Sequence, residues 1–207
     1  MSKIIDPINT FARKIPTWVM YLLLTIPVAL LIYQLFTNQL GIDPVQRFEH
    51  ETGELALKLI IFGLAITPLR KYLKLNLLKF RRAVGVMSFV YVTVHLFAWV
   101  LIDMNLRWAQ MWDDIWKRPY ITIGMIAFLL MIPLAVTSNN LSLRKMGAAA
   151  WRKMHKAVYL IAVLGAVHYI MVQKVWEVEP MAYLAVILAL LASRIKWSPK
   201  VRTAANI

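Results

Sequence analysis

The chain has 207 residues, 60% of them hydrophobic, with a formal net charge of +14 and a mean hydropathy of +0.62. A soluble domain carries about 45–50% apolar residues, so composition points to an integral membrane protein. The absence of cysteine excludes disulfides, thiolate metal centres, iron–sulfur clusters and the C-x-x-C-H anchor of c-type haem. Neither G-x-G-x-x-G nor G-x-x-x-x-G-K-[ST] occurs, so no nucleotide-binding domain is expected.

The first stretch, MSKIIDPINTFARK, is polar and leads into a long apolar run. That run is too long for a signal peptide and has no small-residue cleavage site behind it, so no cleaved leader is expected. Six apolar segments follow, at 17–37, 54–73, 83–103, 120–138, 154–172 and 179–195. Each has about 17–21 residues, enough to cross a hydrocarbon core of about 30 Å. They are read as helices, because a lone strand cannot satisfy its backbone in lipid, and Pro27, Pro68 and Pro133 are tolerated there. Between the third and fourth spans, LRWAQMWDDIWK carries Trp108, Trp112, Ile115 and Trp116 at helical spacing, with Asp113, Asp114 and Lys117 expected opposite. This predicts a short helix lying in the membrane interface. No repeat or low-complexity stretch breaks the chain, so residues 1–207 are read as one domain.

Charge sets the expected orientation. Residues 1–16, 70–82, 144–156 and 194–207 hold 18 Lys/Arg and one acid, Asp6, whereas 38–54, 103–118 and 173–179 hold five Lys/Arg and the other nine acids. This alternation is the positive-inside pattern. It predicts an all-α, six-transmembrane helix bundle with both termini cytoplasmic, and basic loops that meet lipid headgroups rather than nucleic acid.

Three histidines fall within or at the edge of these spans. His95 lies twelve residues into the third span and His168 fourteen into the fifth, about 18 and 21 Å from the same end. Histidine in hydrocarbon needs compensation. Two imidazoles from two helices at one depth suit the axial positions of one haem, with no open position left for oxygen. The candidate metal and cofactor residues are therefore His95 and His168, with His155 as a third candidate. His155 lies about 20 Å nearer the basic end and about 140° round the helix from His168. Its counterpart thirteen residues before His95 is Arg82. An inner haem, a quinone, a propionate and a phospholipid all remain open as its partner. His50, in RFEHETG, is read as solvated or as a helix-start contact. The rival class is a small proton-coupled transporter with a histidine relay.

Eight strings run in order: GIDPV from Gly41, HETG from His50, AITPL from Ala65, RRAVG from Arg81, VHL from Val94, KRPYIT from Lys117, PLAVTS from Pro133 and WRKMH from Trp151. His168 and Tyr169 follow. Together they resemble the MsrQ family, the haem-binding membrane subunit of the periplasmic methionine sulfoxide reductase system, within the ferric-reductase-like transmembrane group. The resemblance implies a b-type cytochrome of the bacterial inner membrane with one haem b, a second being open, and FMN. It implies electrons taken from the quinone pool or a cytosolic flavin reductase. They would pass to a periplasmic molybdopterin-containing subunit that reduces methionine sulfoxide in oxidised proteins. The substrate chemistry would then lie on that partner, and the family's haem histidines fall on His95, His155 and His168. The chain departs from the wider oxidase group in lacking a fused flavin and nicotinamide domain, and in carrying Arg82 where oxidases have a fourth histidine.

Overall fold

The computed structural model describes residues 2–173 and 175–195, and every regular element among them is helical. In chain order these are α1 (Ser2–Lys14), α2 (Thr17–Phe36), α3 (Pro44–Tyr72), α4 (Arg81–Phe97), α5 (Trp108–Lys117), α6 (Pro119–Val136), α7 (Asn140–Met146), α8 (Ala148–Met154), α9 (Val158–Val172) and α10 (Val178–Ala192). A π-helical stretch, Ala98–Asp103, continues α4, and a 3₁₀ turn, His155–Ala157, joins α8 to α9.

Five helical stretches are long and apolar enough to cross a membrane: Thr17–Phe36, Pro44–Tyr72, Leu78–Asp103, Pro119–Val136 and Ala148–Val172. The sixth expected span, 179–195, is the 15-residue helix α10, about 22 Å long and so shorter than the expected crossing. Residues 196–207, most of the last basic segment, lie outside the described residues. The second span also differs from expectation. It begins ten residues early because Asp43 caps it, accepting a hydrogen bond from the Gln46 amide at 3.0 Å, with Pro44 in the first turn. Hydropathy locates only the lipid-depth part of a helix. The polar residues Gln46–Gly53, expected as an outer loop, are therefore helical.

Helix α3 is the centre of the bundle. Its Leu57, Ile60 and Leu64 pack with Met131 of α6, Ile161, Ala162 and Ala166 of α9 and Ile187 of α10. Ala56 packs on its other side with Val28 of α2 and with Met87 and Tyr91 of α4. Alanines at these contacts let helix backbones approach closely. The outward faces remain apolar: Leu22, Leu23, Ile26 and Leu30 of α2 are all more than half exposed. An apolar belt of that extent marks a lipid-facing surface.

Two of the intramembrane prolines have their consequences repaired from another helix. Next to Pro27 the buried Tyr91 hydroxyl bridges the Val28 amide and the Leu24 carbonyl, accepting from Val28 at 3.1 Å and donating to Leu24 at 2.9 Å. Pro68 has no N–H to offer Leu64, and Arg194 donates to that Leu64 carbonyl instead while also bonding the Tyr159 hydroxyl at 3.1 Å. Tyr91→Phe should therefore lower unfolding stability in detergent by about 1–3 kcal/mol, the cost of stranding buried backbone groups. Adding Pro27→Ala should recover much of that loss by letting the Val28 amide bond the Leu24 carbonyl directly. A Tyr91→Phe deficit insensitive to Pro27→Ala in the same denaturation assay would contradict this account.

Candidate functional site

His95 on α4 and His168 on α9 face each other across the bundle, with ring centroids 6.1 Å apart and ring planes at 84°. The common depth read from residue counting is therefore realised as direct juxtaposition. Each ring is held from behind by another helix. His95 Nδ1 lies 2.9 Å from the Glu49 carbonyl oxygen on α3, and His168 Nδ1 lies 2.7 Å from the Tyr120 carbonyl oxygen on α6. A carbonyl only accepts, so each Nδ1 carries the hydrogen and donates it, leaving each Nε2 with its lone pair. That is the tautomer a metal requires, with the outer hydrogen bond fixing ring orientation. With centroids 6.1 Å apart, the two rings are close enough that one metal between them could take a nitrogen from each.

The rings line a cavity of about 290 Å³, together with Trp99, Phe128 and Val92 on its walls and Gln46, Glu49, Asp103 and Arg118 at its polar rim. One carboxylate oxygen of Glu49 is buried there without a hydrogen-bond partner. Among the described residues no group of three or more His, Asp or Glu side chains is placed to hold a bare ion. Two imidazole nitrogens instead suit a metal whose remaining ligands come from a macrocycle, and the residues present fit haem.

Ile60, Met131 and Ile161 line this cavity and also a second one of about 520 Å³. The two cavities thus lie along the bundle with an apolar partition between them. The second is lined by Lys79, Arg81, Arg82, Arg152 and Lys156 and by no acidic residue. His155 belongs here, away from the other two histidines. Its ring stacks on Trp151 (centroids 3.7 Å apart, planes at 23°), and its Nε2 is 3.1 Å from the Thr137 hydroxyl. Trp151 in turn donates its indole N–H to the Thr137 carbonyl at 2.9 Å. The cavity brings both Arg81 and Arg82 to the histidine, whereas residue counting singled out Arg82 alone.

His50 differs from its sequence reading. Because α3 starts at Pro44, His50 is a helical residue that lines the first cavity, its ring edge-on to Tyr169 at 6.3 Å. The short helix α5 forms as expected, with Trp108, Trp112 and Trp116 exposed along one stripe. Asp114, however, faces inward: it is buried and paired with Arg118 at 3.2 Å, while Asp113 pairs with Lys117 at 2.7 Å. The Asp113 hydrogen bond, followed by its charge, holds the Lys117 ammonium above its ordinary range. Sequence reasoning missed the Glu49 and Tyr120 carbonyls entirely, because a main-chain acceptor has no residue-type signature.

The profile of the ferric reductase like transmembrane component matches residues 52–166, a stretch that contains His95 and His155. The "Protein-methionine-sulfoxide reductase heme-binding subunit MsrQ" of Caulobacter vibrioides is 45% identical over 181 residues, 87% of this chain and 85% of that protein. The protein of the same name from Brucella ovis is 41% identical over 186 residues, 90% of this chain and 84% of its own. No solved structure gives a significant match. The apolar helices and the matched profile define a multi-pass membrane protein of the ferric-reductase-like transmembrane class. Within that class, the chain belongs to the MsrQ family.

Proposed function

We propose that this chain is a b-type cytochrome subunit that carries electrons across the bacterial inner membrane to a periplasmic methionine sulfoxide reductase. The observation that carries the reading is the His95–His168 pair, with both Nδ1 atoms bonded to backbone carbonyls and both Nε2 atoms free. In this reading residues 1–207 form one six-span haem domain with both termini cytoplasmic. The charge alternation along the sequence supports that orientation. So do the ion pairs Arg47–Glu51, Asp113–Lys117 and Asp114–Arg118, which all fall in the acidic segments of that alternation.

Haem iron, when bound, would supply one-electron chemistry. The chain's own residues do the rest. His95 and His168 hold the group, and the Glu49 and Tyr120 carbonyls orient and enrich their imidazoles. Apolar walls exclude water and help set the potential. The acidic end receives the periplasmic partner, in the family a molybdopterin-containing subunit that acts on methionine sulfoxide in oxidised proteins.

The basic cavity is the donor end. Its five cations and aromatic floor suit an anionic or planar donor group. A quinone, a docked cytosolic flavin reductase and the phosphate of FMN all meet that description. A second haem on His155 is less well supported, because its Nε2 is engaged by Thr137.

Two spectroscopic experiments follow. His95→Ala and His168→Ala should each remove most of the low-spin b-type signal from the purified protein, and a normal reduced-minus-oxidised spectrum in both variants would overturn the ligand assignment. His155→Ala should slow reduction from the donor side yet keep that signal; its loss would show that the histidines are paired wrongly.

A further inference from the structure

The segment HETG and the region around KRPYIT resolve into one device used twice. On α3 the Glu49 carbonyl accepts from His95 Nδ1, and four residues later stands Gly53. On α6 the Tyr120 carbonyl accepts from His168 Nδ1, and four residues later stands Gly124. A Cβ leans toward the helix N-terminus and so over the turn before it. At either glycine it would lean over the carbonyl that the imidazole uses. A Cβ at residue 53 would lie 3.1 Å from His95 Nδ1, and one at 124 would lie 2.8 Å from His168 Nδ1.

The ordinary reason for glycine in a membrane helix is close approach of another backbone. It does not apply here: the three nearest atoms at each position all belong to the histidine ring. Other helical glycines differ. Gly63 and Gly165 would meet only side-chain methyls, at 3.6 and 3.4 Å, and Gly85 would meet nothing within 4 Å. Alanine is also the better helix former, so propensity does not explain glycine at 53 or 124.

We propose that Gly53 and Gly124 are positioning residues that open one carbonyl each to an imidazole and thereby set the tautomer and the near-perpendicular ring planes of His95 and His168. The proposal rests on the reading of those histidines as paired haem ligands. The angle between axial imidazole planes governs the anisotropy of a ferric low-spin haem's electron paramagnetic resonance signal. The 84° angle therefore corresponds to a strongly anisotropic signal.

The test compares that signal and the midpoint potential in Gly53→Ala, Gly124→Ala and the control variants Gly63→Ala and Gly85→Ala, all in the full chain purified with its haem. Gly124→Ala, with the tighter clash, should lose the wild-type signal or move its g values toward a less anisotropic form, and shift the potential. Gly53→Ala should do the same to a smaller degree, and the controls should match wild type. Circular dichroism and size exclusion report folding; if Gly124→Ala does not fold, Gly53→Ala decides. Wild-type g values and potential in the glycine variants would overturn the proposal, as would equal shifts in the controls. If His95→Ala and His168→Ala abolish the signal while the glycine variants keep it, the positioning role alone fails. If those histidine variants keep it, the ligand reading beneath it fails.

Discussion

The hydrogen bonds from two imidazole Nδ1 atoms to two helix carbonyls are the constraint on which the rest of the site depends. An imidazole inside an apolar bundle has two nitrogens to account for, and leaving either unpaired is costly. The Glu49 and Tyr120 carbonyls each have a lone pair to spare beyond the one used by their own helices. Using it satisfies Nδ1 without bringing in a polar side chain. What remains is a pair of Nε2 lone pairs without a hydrogen-bond partner among the described residues, on rings whose centroids are 6.1 Å apart. That unsatisfied pair turns a packing arrangement into a candidate redox centre.

The surrounding architecture keeps the arrangement rigid and gives it a direction. Helix α3 touches both halves of the bundle and supplies the carbonyl behind His95, while α6 packs against α9 and supplies the one behind His168. The π-helical stretch begins three residues after His95. Such irregularities collect at functional sites in helical proteins. Ile60, Met131 and Ile161 separate this centre from a cavity of opposite character, lined by five cations and no acid. The histidine pair and the cationic chamber thus lie on opposite sides of an apolar partition. In the proposed function, the chamber is where an anionic donor approaches.

Much of this was legible in the sequence, and what was hidden has physical reasons. Hydrophobic length found five of the six expected spans as membrane-length helices, and residue counting put His95 and His168 at one depth, because helical rise is nearly constant. Trp108, Trp112 and Trp116 announced α5 by their four-residue spacing. The start of α3 was missed because Asp43 and Pro44 mark it in polar residues that hydropathy ignores. His50 was therefore expected in a loop although it faces the cavity. Asp114 was expected on the polar side, but Arg118 neutralises it within the packed face. The strings HETG, KRPYIT, PLAVTS and WRKMH carried a resemblance before they carried a mechanism. Structure assigns them a glycine, a carbonyl, a hydroxyl and a stacked indole around the histidines.

The claim that His95 and His168 share one haem is tested most directly by near-infrared magnetic circular dichroism of the ferric protein, which identifies the pair of axial ligands. The account predicts the charge-transfer band of a bis-imidazole low-spin haem, present in wild type and absent when either histidine is replaced. A histidine–methionine band, a high-spin spectrum or no bound haem at all would contradict it.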